Sequence, residues 1–108
     1  MDRWTRPGLL AIALWAAGPT AARAQPADTL QARSLAATCA SCHGTNGQAR
    51  GDIKPLAGVS ADTIIAALAA FKSGERPATV MHQIARGYSD EQVQLIARYM
   101  AAQAAVAR

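Results

Sequence analysis

Cys39-Ala40-Ser41-Cys42-His43 is the stretch from which the rest of the chain is read. Its pattern is C-x-x-C-H, the spacing of covalent haem attachment. Positions i, i+3 and i+4 of a helical turn share one face, so Cys39, Cys42 and His43 are expected to point the same way. Two thiols there can add to the two vinyl groups of a porphyrin as thioethers. The His43 imidazole can then bind the iron axially. Three other readings compete. A thioredoxin-like redox pair calls for a βαβ context, and the sequence has none. A zinc site wants four ligands, and beyond these three residues only His82 is a good candidate. A plain disulfide suits two cysteines in an exported chain but explains neither the adjacent histidine nor the methionine described below. Haem is the reading adopted.

Upstream of the motif, residues 1–24 have the organisation of a cleaved secretory signal. Arg3 and Arg6 lie in the first segment, nine apolar residues run from Leu9 to Ala17, and Ala22-Arg23-Ala24 fits small-x-small cleavage after Ala24. Nine residues fall short of the ~20 that span a bilayer core, and no cysteine stands at the cleavage point to carry lipid. The expectation is a soluble mature chain of residues 25–108, without a membrane span, in an oxidising compartment: in a bacterium, the periplasm.

Cleavage changes the charge. Three of the eleven Lys and Arg (Arg3, Arg6, Arg23) and one of the seven Asp and Glu (Asp2) leave with the signal, so eight basic and six acidic residues remain. Two haem propionates would roughly cancel that +2, and nothing in it points to nucleic acid. The 84 residues left after removing 24 from 108 make one domain. A chain this short often leans on a cofactor for its core.

Downstream and upstream of the motif the pattern is helical. Alanine is abundant, which favours helix, and no segment alternates like a strand. A first helix is expected to start at Asp28 as N-cap, after Pro26, and to run through the haem motif until Gly44-Thr45-Asn46-Gly47 breaks it. A second is expected over 61–73, with Ser60 as N-cap and Gly74 as its stop. Ile64, Leu68 and Phe71 form its apolar stripe. A short helix over 80–86 ends at Gly87. Ser89-Asp90-Glu91-Gln92 is a capping box opening the last helix, on which Val93, Ile96, Ala97 and Met100 share a face. Tyr88 is read as a packing or rim residue, and Lys72, Arg76 and Arg86 as solvated charge.

Two further positions bear on the iron. Pro55 follows His43 by twelve residues, and a metal-bound histidine needs an acceptor for its other ring N–H. The Pro55 carbonyl is one candidate; a simple turn proline is the other reading. Met81 offers a soft, neutral thioether suited to the sixth position of a c-type haem. His82 beside it is the competitor, and the ligand chemistry favours Met81. Met100 is read as core.

With Cys39, Cys42, His43, Pro55 and Met81 placed, the chain resembles a class I cytochrome c over nearly its whole mature length. The resemblance implies an all-α fold of about four helices around one covalent haem c, with Pro55 supporting His43 and Tyr99 as the aromatic where the terminal helices cross. Three runs, Cys39–Gly47, Phe71–Arg76 and Thr79–Ser89, narrow it further. They look like the cytochrome subunit of flavocytochrome c sulfide dehydrogenase, here with a single haem. That likeness implies an electron-transfer subunit, not catalytic by itself, taking electrons from an FAD-containing flavoprotein and passing them to a soluble acceptor protein. The alternative it leaves is a free carrier between a dehydrogenase and a terminal oxidase. No nucleophile–base–orienter set suggests hydrolase or transferase chemistry.

Overall fold

The computed structural model describes residues 27–106. The export segment expected at 1–24, the new terminus at Gln25 and Pro26 all lie outside them. The described residues hold five α-helices and no strand: α1 (Ala27–Ala37), α2 (Ala40–His43), α3 (Ala61–Ser73), α4 (Met81–Arg86) and α5 (Asp90–Ala101), with a 3₁₀ turn at Thr45–Gly47. The all-α expectation is met. The count rises above four because the first helix does not run through the haem motif.

Thr38 explains the break. Its hydroxyl donates to the Leu35 carbonyl at 2.7 Å, and the N–H groups of Thr38 and Cys39 turn back to Leu35 and Ala36 at 3.2 and 3.1 Å. A threonine that takes a carbonyl of the preceding turn tightens and bends a helix. Asp28 also differs from expectation: α1 begins one residue earlier, and Asp28 sits in its first turn rather than before it.

The other ends follow the sequence closely. Ser60 caps α3 by accepting the Thr63 N–H, and Gly74 closes it in the left-handed region at φ 83°. Ser89 and Gln92 form the reciprocal capping box of α5. Glu91 gains from the same corner: its own backbone N–H and the Ser89 hydroxyl hold its carboxyl below the usual carboxylate range.

Packing ties the ends of the chain together. α1 lies chiefly against α5, and α3 against α4 and α5. The core cluster joins Ala36 of α1, Ile64 of α3 and Ile96, Ala97 and Met100 of α5. Alanines at the α1–α5 contact let the two backbones approach closely, and Ile96 and Met100 supply the bulk. Each of those two, essentially fully buried, is worth roughly 1.5–3 kcal/mol of apolar burial. Leu56 and Val59 pack on the cluster from the loop before α3. Lys72, expected as solvated charge, is instead a tie: its ammonium donates to the Tyr88 carbonyl at 2.6 Å and lies 3.6 Å from Asp90. Arg76 stacks over Phe71, 4.9 Å from the ring centroid. Tyr88 packs against the core as expected, its hydroxyl hydrogen-bonded to that of Thr38.

Candidate functional site

The haem motif occupies the turn after α1 and the whole of α2. Cys39 has helical dihedrals, φ −80° and ψ −15°. The N–H groups of Cys42 and His43 both return to the Cys39 carbonyl, at 3.3 and 2.9 Å. The three side chains therefore follow one helical path with the i, i+3, i+4 relation the sequence implied. Both cysteines are free thiols, Cys39 half-buried and Cys42 exposed, the state that thioether attachment starts from. Burial pushes the Cys39 thiol above its ordinary pKa, with a smaller rise from neighbouring Cys42, against a hydrogen bond from Thr38 that lowers it. A reactive redox cysteine is shifted the other way. Among the described residues no three His, Cys, Asp or Glu side chains gather into a metal-binding cluster, which leaves the zinc reading without its ligand shell.

Gly44 turns the chain out of α2 at φ 79°, and a Cβ there would stand 2.4 Å from the Gln48 carbonyl. The loop then returns to the histidine. His43 Nδ1–H donates to the Lys54 carbonyl at 2.7 Å. The acceptor expected was the carbonyl of Pro55, one residue later. The proline fixes the peptide rather than presenting the oxygen: the residue before a proline is held extended. Adjacent carbonyls of extended backbone point to opposite sides, so only one of Lys54 and Pro55 can face the ring, and spacing alone does not say which. With Nδ1 carrying the proton, Nε2 presents its lone pair and can bind a metal.

Met81 opens α4, within the short helix expected over 80–86; it is half-buried, with Val80 as the capping residue. His82 is half-buried too, and its Nδ1 is enclosed without a hydrogen-bond partner. α4 packs on α3, whereas α2 packs on the 3₁₀ turn. The protein thus carries its two sets of candidate iron ligands on separate parts of the scaffold and does not bring Met81 onto His43 by direct packing of their helices. Around them, Ile53 is 46%, Val80 52% and Ile84 40% exposed, apolar surface of the kind a porphyrin covers. Two free thiols and an oriented imidazole on one turn, a thioether on a second element and bare apolar side chains nearby fit a covalent porphyrin.

Sequence reasoning missed two contacts. One is the Lys54 carbonyl. The other is the Tyr99 hydroxyl, which donates to Asn46 Oδ1 at 2.7 Å. Among the described residues Asn46 is the one non-glycine residue with positive φ, at 55°. Asparagine is among the few residues that tolerate that conformation, so Gly44-Thr45-Asn46-Gly47 carried a signal for the turn though not for its partner.

The fold and the site together define a small all-α protein built to carry covalent haem. Comparison with known proteins gives the same class. Residues 22–100 match the family described as cytochrome c oxidase, cbb3-type, subunit III. The chain is 41% identical over 83 residues to the cytochrome subunit of sulfide dehydrogenase from Chlorobaculum tepidum, covering 76% of either chain. It is 40% identical over 70 residues to cytochrome c-554(548) of Halomonas halodenitrificans, covering 61% of this chain and 84% of that one. A thiosulfate dehydrogenase electron acceptor from Stutzerimonas stutzeri is 43% identical over 67 residues, 58% of this chain but 31% of that protein. The chain belongs to the class I cytochrome c family. It is a c-type cytochrome, a carrier of covalent haem c that transfers electrons. Among the described residues no helix is long and apolar enough to cross a membrane.

Proposed function

We propose that the chain is a periplasmic single-haem cytochrome that accepts electrons from an FAD-containing sulfide dehydrogenase flavoprotein and passes them to a soluble acceptor. Residues 1–24 would direct export and be removed after Ala24, leaving residues 25–108 as the working domain. Cys39 and Cys42 would tether the porphyrin, and His43 Nε2 and Met81 Sδ would bind its iron. When bound, haem c supplies a one-electron couple at its iron.

The residues of this chain set the terms of that couple. The Lys54 carbonyl holds Nδ1–H and so keeps Nε2 directed and basic. A neutral thioether at Met81 favours the reduced state and raises the potential. Val80 and Ile84, exposed on either side of Met81, supply apolar surface that keeps water from the ligand. No proton need move and no substrate need touch the iron, so the substrate chemistry sits on the partner.

The observation that carries the partner is the likeness, over three quarters of the chain, to the cytochrome subunit of sulfide dehydrogenase. A second reading, a freely diffusing carrier, is supported by a near-equal identity to cytochrome c-554(548). Native purification followed by absorption spectroscopy separates them. A haem spectrum with a bleachable flavin contribution, reduced on adding sulfide, is the expected result. Haem without flavin and without a sulfide response would favour the free carrier.

A further inference from the structure

We propose that Tyr99 is a positioning residue for the His43 imidazole, acting through Asn46 and the loop that follows the haem motif. The proposal rests on the reading of His43 as an iron ligand.

The connection can be followed atom by atom. Tyr99, near the end of α5, donates its hydroxyl proton to Asn46 Oδ1 at 2.7 Å, across 53 residues of sequence. Asn46 is the centre of the 3₁₀ turn Thr45–Gly47 and stands in the left-handed region at φ 55°. The next residue, Gly47, offers its carbonyl to two N–H groups of the returning strand of loop: Leu56 at 2.8 Å and Ala57 at 3.1 Å. That returning segment is the one whose Lys54 carbonyl receives His43 Nδ1–H. Beyond it, the Gly58 N–H donates to the Met100 carbonyl at 2.9 Å. Consecutive residues of α5, Tyr99 and Met100, therefore pin the loop on both sides of the acceptor.

The loop has no slack at this point. A Cβ on Gly47 would lie 2.7 Å from the Ala57 nitrogen and 2.8 Å from Met100 Sδ, so turn, returning segment and α5 are in close contact. Tyr99 also packs on the core through its ring, and a phenylalanine would do the same. What the hydroxyl adds is the link to Asn46. Asn46 is exposed, and water can satisfy its side chain, so the bond does not relieve a buried polar group. Its effect is to fix where the turn sits.

The consequence lies in the chemistry of the ring. A firmly held acceptor on Nδ1–H makes the imidazole more basic at Nε2, and a more basic axial nitrogen stabilises the ferric state. Loosening the pin weakens that hold and raises the reduction potential. Potential is the readout a merely structural tyrosine would not move.

The test compares holoprotein of wild type, Tyr99→Phe, Asn46→Gly and the double variant. Glycine keeps the left-handed turn without strain but removes the acceptor. Midpoint potential is read by spectroelectrochemistry, and the Nδ1–H of His43 by its solvent exchange in NMR of the reduced protein. Both single variants should shift the potential upward by similar amounts, with faster Nδ1–H exchange, and the double variant should add nothing to either. Unchanged potential and exchange in the single variants overturn the proposal, whatever happens to their melting temperatures. A wild-type haem whose spectrum lacks histidine ligation would overturn the reading beneath it, and the proposal with it.

Discussion

His43 keeps one nitrogen, Nε2, free to meet an iron, because the other is already engaged by the Lys54 carbonyl. On the proposed reading the second iron ligand would be a single atom, the sulfur of Met81. Met81→Ala is expected to leave the haem covalently attached, since the thioethers are elsewhere, but to lower its potential and let external imidazole bind. Redox titration and an imidazole absorption titration check this; an unchanged potential would remove Met81 from the iron. His82 stands next in line with an enclosed, unpartnered Nδ1. At this scale the sequence was legible where chemistry is local. Cys39, Cys42 and His43 are fixed by a spacing within one helical turn. The acceptor for His43 was not legible, because it is a backbone atom, and backbone carbonyls carry no residue signature. Pro55 marked the right loop and missed the oxygen by one peptide.

Elements repeat the lesson in another form. Caps written as side chains were readable: Ser60, Gly74 and the Ser89–Gln92 box stand where expected. The break between α1 and α2 was not, because Thr38 is as ordinary in a helix as in a bend until its hydroxyl takes the Leu35 carbonyl. Ser89→Ala should cost about 1 kcal/mol of stability, measured by denaturant unfolding of the holoprotein, with haem ligation unchanged. Glu91 gives the same corner a pH dependence. Its folded pKa is lowered, so its contribution is complete above the unfolded value and is lost as pH falls through the folded one. Glu91→Gln should therefore flatten the loss of melting temperature between about pH 5 and pH 3; a slope equal to wild type would show that the α5 N-terminus does not feel the carboxylate.

At the scale of the whole molecule the core is built from small side chains. Among the described residues most of the buried apolar side chains are alanines, and Met100 is the largest fully enclosed. Ile53, Val80 and Ile84 remain largely bare. Such a chain leans on its cofactor for a core; its many alanines point to helix, while the class rests on the haem motif and the family resemblance it carries. The double change Cys39→Ala and Cys42→Ala should abolish covalent haem and with it much of the cooperative unfolding transition; haem that still resists acid–acetone extraction would contradict the attachment. Element order was legible from caps and breakers and the α1–α5 crossing through the family resemblance, whereas the pin from Tyr99 to the haem loop depends on a contact 53 residues apart that no local pattern encodes.

The most direct measurement is the intact mass, under denaturing conditions, of protein exported by a host that matures c-type cytochromes. The expected result is the mass of residues 25–108 plus one haem, with peptide mapping placing the adduct on Cys39 and Cys42. A bare polypeptide mass, in protein that had been exported and folded, would contradict covalent haem attachment at Cys39 and Cys42.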